Sequence, residues 1–454
     1  MLYRKIMERI ETLFRNQPEK ALLIIGARQV GKSYTVDRFA EEHFKQYIKL
    51  DFIAHPEYIQ MMEGVKSAEE ILMRISAVFG NKMIPGETLI FFDEVQQCPE
   101  LVTQVKYLVQ EGSYRYILSG SLLGTVIKSI LSMPVGYINV LHMYPMDFEE
   151  FALANGVSSR VVDALREAFL ERKPVDSFLH GRILSLFELY LIVGGMPAVV
   201  SAYLEAKNLA RAAEEQKAIL ELYKQDISKY DQDDKLTLNE IFDLIPSELN
   251  AKNKRFILKN LNEHAKYAKY DNSFLWLKNA GVALPVPCAE EPKVPLLLSK
   301  STNLFKLFLN DVGLLAAQYG TGIQLQILRH ETEINFGAIY ENAAAQELTA
   351  HGFTLYYYNS KKLGEVDFMI ETEGKVLPIE IKSGKDYYRH KAISNLTDHP
   401  EYELETGYVF CNGNVERKGK IVYLPIYMLM FLQKQEMPKE LIYSLDFSDI
   451  NAMV

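Results

Sequence analysis

The stretch G26-A-R-Q-V-G-K-S33 directly follows the apolar run ALLII at residues 21–25. Its two glycines, lysine and hydroxyl fit the spacing G-x-x-x-x-G-K-[ST], in which backbone N–H groups surround phosphate oxygens. The apolar run predicts a buried strand, and the following SYTVDRFAEEHF predicts a helix whose positive N-terminal end faces the same anion. The stretch therefore predicts an α/β fold with a phosphate-binding turn after its first strand.

Within this turn, Lys32 is expected to reach the β- and γ-phosphates of a nucleotide, and the Ser33 hydroxyl is expected to coordinate Mg²⁺. We predict ATP and Mg²⁺ as the ligands. The residues predicted to bind them are Gly26, Ala27, Arg28, Gln29, Val30, Gly31, Lys32, Ser33, Tyr34, Asp93, Ser119 and Ser121.

A second apolar run, TLIFFDE at residues 88–94, ends in two acids. Asp93 is expected to hold the Mg²⁺, and Glu94 suits a catalytic base that polarises the attacking water, with Lys32 as its partner on the phosphates. Ser119 and Ser121, at the end of YRYILSGS, occupy the place of a polar γ-phosphate sensor. Alternatively, acids and serines at strand ends lie in solvent or cap turns.

The composition indicates a globular protein without a basic surface overall. The chain has 454 residues, 48% of them hydrophobic, and a formal net charge of −9. Its three cysteines, Cys98, Cys288 and Cys411, are scattered, as is typical of a reducing compartment. The charged N-terminus does not resemble a signal peptide, and the run at residues 189–200 is too short to span a bilayer. We expect a cytoplasmic protein that does not contact the membrane.

Three regions differ in pattern. Residues 1–155 alternate apolar strands with helices, which predicts a parallel sheet covered on both faces. Residues 156–330 are mainly helical. Residues 331–454 predict a small α/β unit that begins with the helix GAIYENAAAQEL and continues in short strands.

Several motifs together resemble a prokaryotic family of AAA-like P-loop ATPases: GARQVGKS, LIFFDEVQ, YILSGS and YPMDFEEF, followed by YLIVGGMPAVV, FKLFLNDVGLL and GAIYENAAAQEL. The resemblance implies an ATPase core, a helical and winged-helix-like middle, and a C-terminal restriction-endonuclease-like α/β domain. Relatives often form rings, which makes a homo-oligomer an expectation. Gly136-Tyr137 stands where many relatives carry Gly-Arg, so no arginine finger is identified here.

The segment GEVDFMIETEGKVLPIEIKSG at residues 364–384 predicts a hairpin with Glu373-Gly374 as a two-residue turn. In that register Val366, Phe368 and Ile370 face Ile381, Ile379 and Leu377 on one apolar side. The other side opposes Glu365 to Lys382 and Asp367 to Glu380. Since Pro378 has no N–H, we expect its strand at an edge or at a bulge.

Two opposed carboxylates repel each other, so a proton, a basic neighbour or a divalent cation should compensate them. The pattern resembles that of PD-(D/E)XK nucleases. The resemblance implies a second divalent metal on Asp367 and Glu380, with Glu341 joining the site and Lys382 steadying a water. Alternatively the acids are incidental, or the fold is catalytically inactive and binds a partner.

Two basic segments could contact DNA or RNA: Lys252–Lys269, with six basic residues against one acid, and Lys382–Lys391, with two tyrosines. Alternatively they are solvated surface, or they dock an acidic neighbouring domain. The main hypothesis is an ATP-hydrolysing protein whose nucleotide state controls a nuclease-like C-terminal domain. The alternatives are an ATP-gated scaffold with an inactive nuclease-like recognition domain, and a metal-dependent nuclease regulated by ATP.

Overall fold

The fold is described from a computed structural model of the chain. The structure describes residues 2–121, 136–229, 235–251, 253–261, 267–329, 336–435 and 444. Within these ranges the chain forms a parallel sheet, a helical middle and a mixed sheet.

The N-terminal unit is built on a five-stranded sheet in the order β2-β3-β4-β1-β5, with every neighbouring pair parallel. Its strands are β1 (Ala21–Ile25), β2 (Gln46–Asp51), β3 (Thr88–Asp93), β4 (Arg115–Gly120) and β5 (Ile138–His142). The helices around it are α1 (Ile6–Asn16), α2 (Lys32–His43), α3 (Glu57–Met62), α4 (Ala68–Phe79) and α5 (Pro99–Glu111). The predicted α/β fold with a parallel sheet is confirmed.

Both faces of this sheet are buried, which explains why its strands are apolar without alternation. In β1, Leu22 and Ile24 pack into one hydrophobic cluster, whereas Ala21 and Leu23 pack into another on the opposite face. Polar residues are therefore left for the carboxyl edge, where parallel strands end side by side. Ile25 of β1 pairs there with Gly120 of β4.

The middle of the chain is mainly helical, as predicted. Its described helices are α6 (Phe148–Ala154), α7 (Ser159–Glu171), α8 (Ser177–Val193), α9 (Pro197–Ala206), α10 (Leu209–Lys229), α11 (Lys235–Asn250), α12 (Tyr267–Asn279), α13 (Val312–Tyr319) and α14 (Thr321–Leu328). In the described part of the chain, no single helix is long and apolar enough to cross a membrane. Among the described helices, the pair α8 and α9, bent by 119°, passes that test when taken together, by length and composition alone.

The third element is an eight-stranded mixed sheet in the order β12-β13-β11-β10-β9-β8-β6-β7. Its strands are β6 (Ala283–Ala289), β7 (Lys300–Leu309), β8 (Tyr356–Ser360), β9 (Gly364–Thr372), β10 (Lys375–Lys382), β11 (Gly407–Cys411), β12 (Glu416–Lys418) and β13 (Ile421–Pro425), with helices α15 (Gly337–Ala350) and α16 (Lys391–Thr397). Because β6 and β7 precede residue 331, this sheet includes a hairpin from the middle region. The three domain ranges given above stay predictions.

The predicted hairpin register is confirmed from Thr372↔Lys375 to Phe368↔Ile379. Glu373 and Gly374 both have positive φ, 52° and 73°, as a type I′ turn requires. The expectation that Pro378 marks an edge or bulge is wrong, because β10 lies between β9 and β11. Its pairing with β11 begins only at Ile379, beyond the residue that lacks an N–H.

The prediction that Val366 lies on the same apolar face as Phe368 is also wrong. Tyr356 pairs with Met369 and Tyr358 with Val366, so three residue steps of β9 match two of β8. This extra residue forms a β-bulge. Because of it, the side chain of Val366 packs in a different hydrophobic cluster from that of Phe368. The ladder with β10 therefore ends before Asp367 and Glu380 oppose each other as a pair.

Candidate nucleotide site and a second carboxylate cluster

The predicted phosphate loop joins β1 to α2, as its sequence requires. Gly31 precedes α2 with a φ of 92°, which favours glycine, and Gln29 also has a positive φ, 66°. A Cβ at Gly26 would lie 2.2 Å from the carbonyl oxygen of Met143, so no side chain fits there. The loop is therefore a tight turn whose backbone closely approaches its neighbours.

Lys32 lies buried inside this loop. Its Nζ donates hydrogen bonds to the carbonyl oxygens of Gly26, at 3.1 Å, and Ala27, at 2.9 Å. Burial lowers the pKa of Lys32, and the charges of Glu94 and Asp93 oppose that shift. The lysine thus lies within electrostatic reach of Asp93, predicted to hold the metal, and of Glu94, predicted to be the catalytic base.

Asp93 ends β3 and is almost fully buried. The Ser119 hydroxyl donates a short hydrogen bond to Asp93 Oδ1, and Lys49 Nζ lies 3.3 Å from Asp93 Oδ2. Burial opposes the charge on Lys49, yet Asp93 and Asp37 raise its pKa above the ordinary value. Lys49 was not predicted from the sequence. The available signal was that it alternates with buried apolar residues in β2, the strand that pairs with β3.

Glu94 has left-handed backbone, with a φ of 55°, directly after the strand. Its Oε2 accepts hydrogen bonds from the Ser121 hydroxyl, at 2.9 Å, and from the Gln96 amide. Its backbone N–H donates to the Ser119 hydroxyl, at 3.2 Å. The structure therefore brings together the predicted serines and acids, and adds Gln96, which sequence reasoning missed.

The remaining loop residues are either buried or ion-paired, or they are exposed to solvent. Ala27 and Val30 are buried, and Arg28 Nη1 lies 3.1 Å from Asp226 of α10. Gln29 and Tyr34 are exposed, and Ser33 is half-buried at the start of α2.

Other parts of the chain support the loop from outside. Arg4, before α1, donates to the carbonyls of Val30, at 2.8 Å, and Tyr144, at 2.7 Å. Tyr223 of α10 donates to the carbonyl of Arg28, at 3.3 Å. A Cβ at Gly281, just after α12, would lie 2.9 Å from the Ala27 nitrogen. The helical middle therefore contacts the loop directly, which no local sequence pattern indicates.

The C-terminal acids also meet in space. Lys306 of β7 is fully buried, and its Nζ lies 3.3 Å from Glu341, 3.0 Å from Glu365 and 3.6 Å from Asp367. Lys382 Nζ lies 2.6 Å from Glu380. We call these six residues, together with Lys254, the acid–lysine cluster, in which Lys254 forms a short ion pair with Glu341. It contains all four side chains predicted for the second site.

Charge in this cluster is balanced by lysines. Burial opposes the charge on Lys306, yet Glu341, Asp367 and Glu365 raise its pKa. Burial alone would raise the pKa of Asp367, but Lys306 and Lys254 lower it. Burial and then the charge of Asp367 raise the pKa of Glu380 to about 8. The sequence analysis considered a proton, a basic neighbour or a divalent cation as the means of offsetting the repulsion between the carboxylates. The structure contains basic neighbours, Lys306 and Lys254.

The two basic segments differ in what they contact. Lys252 and residues 262–266 lie outside the described residues. From the first segment, Lys254 contacts Glu341, and Arg255 Nη2 lies 3.7 Å from Glu365. In the second, Lys385 and Arg389 are exposed, with Arg389 paired to Asp386 at 3.3 Å. Part of the first segment thus packs against acids of the same chain.

Comparison with known protein families gives three matches along the chain. Residues 18–152 match the AAA domain family AAA_14. Residues 184–325 and 336–429 match two domains of unknown function, DUF8612 and DUF4143. No curated protein matches the chain. The parallel sheet with its phosphate loop therefore lies in the part of the chain that matches an AAA domain.

Among solved structures, the chain is similar to the Walker-type ATPase PABY2304 of Pyrococcus abyssi, at 17% identity and a TM-score of 0.44, over 70% of this chain and 96% of that one. It is also similar to the Aeropyrum pernix ORC1 protein in complex with DNA, at 14% and 0.27, over 72% and 95%. Cdc6p from Pyrobaculum aerophilum follows at 11% and 0.25, over 72% and 94%. All three likenesses are distant.

Proposed function

We propose that the chain is an ATP-hydrolysing AAA-like protein in which Lys32 and Ser33 bind the phosphates and Mg²⁺, Asp93 holds the metal, and Glu94 activates water. The observation that supports this most directly is the convergence of Lys32, Asp93 and Glu94 at one edge of the sheet, with Ser119 and Ser121 on the two acids. A buried lysine close to two carboxylates suits a dianionic phosphate with its metal. Bound phosphate oxygens would replace the loop carbonyls as acceptors for Lys32.

Glu94 is the residue that separates hydrolysis from binding. Glu94→Gln keeps the size of the side chain and removes the base, so nucleotide binding should survive while ATP turnover is lost. Lys32→Ala should weaken both. Lys45→Ala removes an exposed lysine paired with Glu87 in the same unit and serves as the control. Binding without turnover by the unaltered chain would contradict an ATPase and favour an ATP-gated scaffold.

We propose that the nucleotide state controls the C-terminal unit, and that this unit recognises a partner without cleaving it. The support is the acid–lysine cluster. In a nuclease of this type these carboxylates would bind a metal ion, but here the charge of Lys306 already compensates Glu341 and Asp367. The exposed Lys385 and Arg389 leave DNA or RNA as candidate partners.

The test of that proposal uses single- and double-stranded DNA. ATP turnover should change on adding DNA if the C-terminal unit binds it, and no Mg²⁺- or Mn²⁺-dependent nicking should follow. Nicking that is lost in Asp367→Ala and Glu380→Ala would show instead that the cluster is a working nuclease site.

A further inference from the structure

A second group of potential metal ligands lies where the ATPase unit meets α15. Asp147 is the N-cap of α6, Glu347 lies in the last turn of α15, and His351 follows that helix directly. In the described part of the chain, these three form the one group of acids, histidines or cysteines whose ligand atoms all lie within 4.8 Å of one another. All three are buried. We call them the junction triad.

The orientation of Glu347 singles out this group. Its side chain is 0% exposed, and Oε1 accepts hydrogen bonds from the Phe148 N–H, at 2.6 Å, and the Tyr190 hydroxyl, at 3.1 Å. Its Oε2 has no hydrogen-bond partner and faces His351 Nε2 at 3.8 Å. Buried carboxylate oxygens are rarely left unpartnered, so this one points to a missing ligand.

His351 is held in the manner of a metal ligand. Its Nδ1 lies 2.9 Å from the carbonyl oxygen of Leu432, which can only accept, so Nδ1 carries the hydrogen. The other nitrogen, Nε2, then faces Asp147 Oδ2 at 3.2 Å as well as Glu347. A metal-ligating histidine usually donates its other ring N–H to a backbone carbonyl or a carboxylate, as His351 does to Leu432.

We propose that the junction triad binds a divalent transition metal ion such as Zn²⁺ or Mn²⁺, through His351 Nε2, Asp147 Oδ2 and Glu347 Oε2. Two ligand atoms each about 2.1 Å from a tetrahedral ion lie about 3.4 Å apart, between the two separations found here. One nitrogen and two carboxylate oxygens are ligands that both ions accept. Since Asp147 precedes α6 and Glu347 belongs to α15, the ion joins the ATPase unit to the C-terminal unit.

Lys5 competes with the ion. Its Nζ lies 2.6 Å from Asp147 Oδ2 and also 2.6 Å from Glu149 Oε2. Because Glu149 alone can keep the ammonium, Lys5 need not leave the region when Asp147 turns an oxygen to a metal. The competition predicts that removing the charge of Lys5 strengthens metal binding.

The experiment is a titration of the full, tag-free chain, stripped with a chelator, with Co²⁺ followed by visible absorption and with Zn²⁺ in competition. We expect one saturable equivalent. Glu347→Gln and His351→Gln should each weaken it at least ten-fold, whereas Asp93→Asn should leave it unchanged. Lys5→Met should bind more tightly than the unaltered chain.

Several outcomes would overturn the site. They are the absence of saturable binding by the unaltered chain, undiminished binding by Glu347→Gln, or loss of the same ion in Asp93→Asn. Circular dichroism of each stripped variant checks that weaker binding does not come from unfolding. If a triad variant does not fold, Lys5→Met provides the test, since binding that is no tighter than in the unaltered chain contradicts the proposed competition at Asp147.

Discussion

The carboxylate of Asp311 accepts a hydrogen bond of 2.6 Å from the backbone N–H of Gly195. Asp311 caps α13, and its other oxygen accepts from the Leu314 N–H, at 3.0 Å. Gly195 lies between α8 and α9, and its carbonyl accepts from the Met146 N–H, at 2.7 Å. Three distant segments of sequence are thereby joined through backbone groups at one buried point.

Gly195→Ala should destabilise the protein strongly. A Cβ at this position would lie 2.0 Å from the Met146 carbonyl oxygen, so the backbone must move. Overpacking of this kind costs about 1–3 kcal/mol or more, which lowers Tm by about 5 °C in a domain of this size. Differential scanning calorimetry measures it. The matched control is Gly181→Ala at an exposed position of helix α8, where nothing lies within 4 Å and alanine should stabilise slightly. Equal effects of both changes would contradict the close approach.

Lys49→Met should lower the Mg²⁺ concentration needed for half-maximal ATP turnover. Lys49 Nζ lies 3.3 Å from Asp93 Oδ2, so its charge competes with the metal that we propose Asp93 holds. A partly exposed ion pair contributes up to about 1 kcal/mol, which corresponds to about a two- to five-fold shift. Turnover measured against Mg²⁺ at saturating ATP checks this. Lys45→Met, whose lysine pairs with Glu87, should leave the curve in place.

Lys306→Met should destabilise the C-terminal sheet. The change leaves the buried carboxylates of Glu341 and Asp367 without their shared cation. Breaking a buried ion pair from one side costs about 3–5 kcal/mol. The thermal midpoint of the unfolding transition measures the loss. Lys375→Met removes one partner of an exposed pair with Glu405 and should change the midpoint little. A similar midpoint for both variants would show that the acids are not charged as described.

Local patterns in the sequence were sufficient for the parts of the fold that depend on neighbours in the chain. The apolar runs around Leu22 and Phe91 predicted buried parallel strands, and Glu373-Gly374 predicted the turn and register of its hairpin. In each case the signal lies within a few consecutive residues: a run of apolar residues predicts the strand, and a residue that tolerates positive φ predicts the turn.

The rest depends on contacts between distant segments. The bulge opposite Tyr356 and Tyr358 arises from pairing with β8, which the hairpin sequence does not contain. Lys306 compensates acids that lie 35 and more residues away, and Arg4 supports the phosphate loop from the chain's beginning. Only the position of a lysine between apolar residues in FKLFLN signalled burial of Lys306, and that signal does not name its partners.

The stability provided by Asp311 should depend on pH. Burial raises the pKa of Asp311 to about 6, although backbone N–H groups of Gly195 and Leu314 favour its charged form. Between about pH 4 and 6 the folded chain then holds a proton that the unfolded chain has released, so stability falls as pH rises through this window. The variant Asp311→Asn cannot titrate at this position and serves as the reference. The free energy of unfolding of the unaltered chain, relative to that of the variant, should fall by about 1–3 kcal/mol across this window and should not change further above pH 7. Thermal midpoints of both proteins from pH 4.5 to pH 8 measure the difference. A relative stability that rises with pH would mean that the N–H donors around the carboxylate outweigh its burial, and that Asp311 is held as an anion throughout.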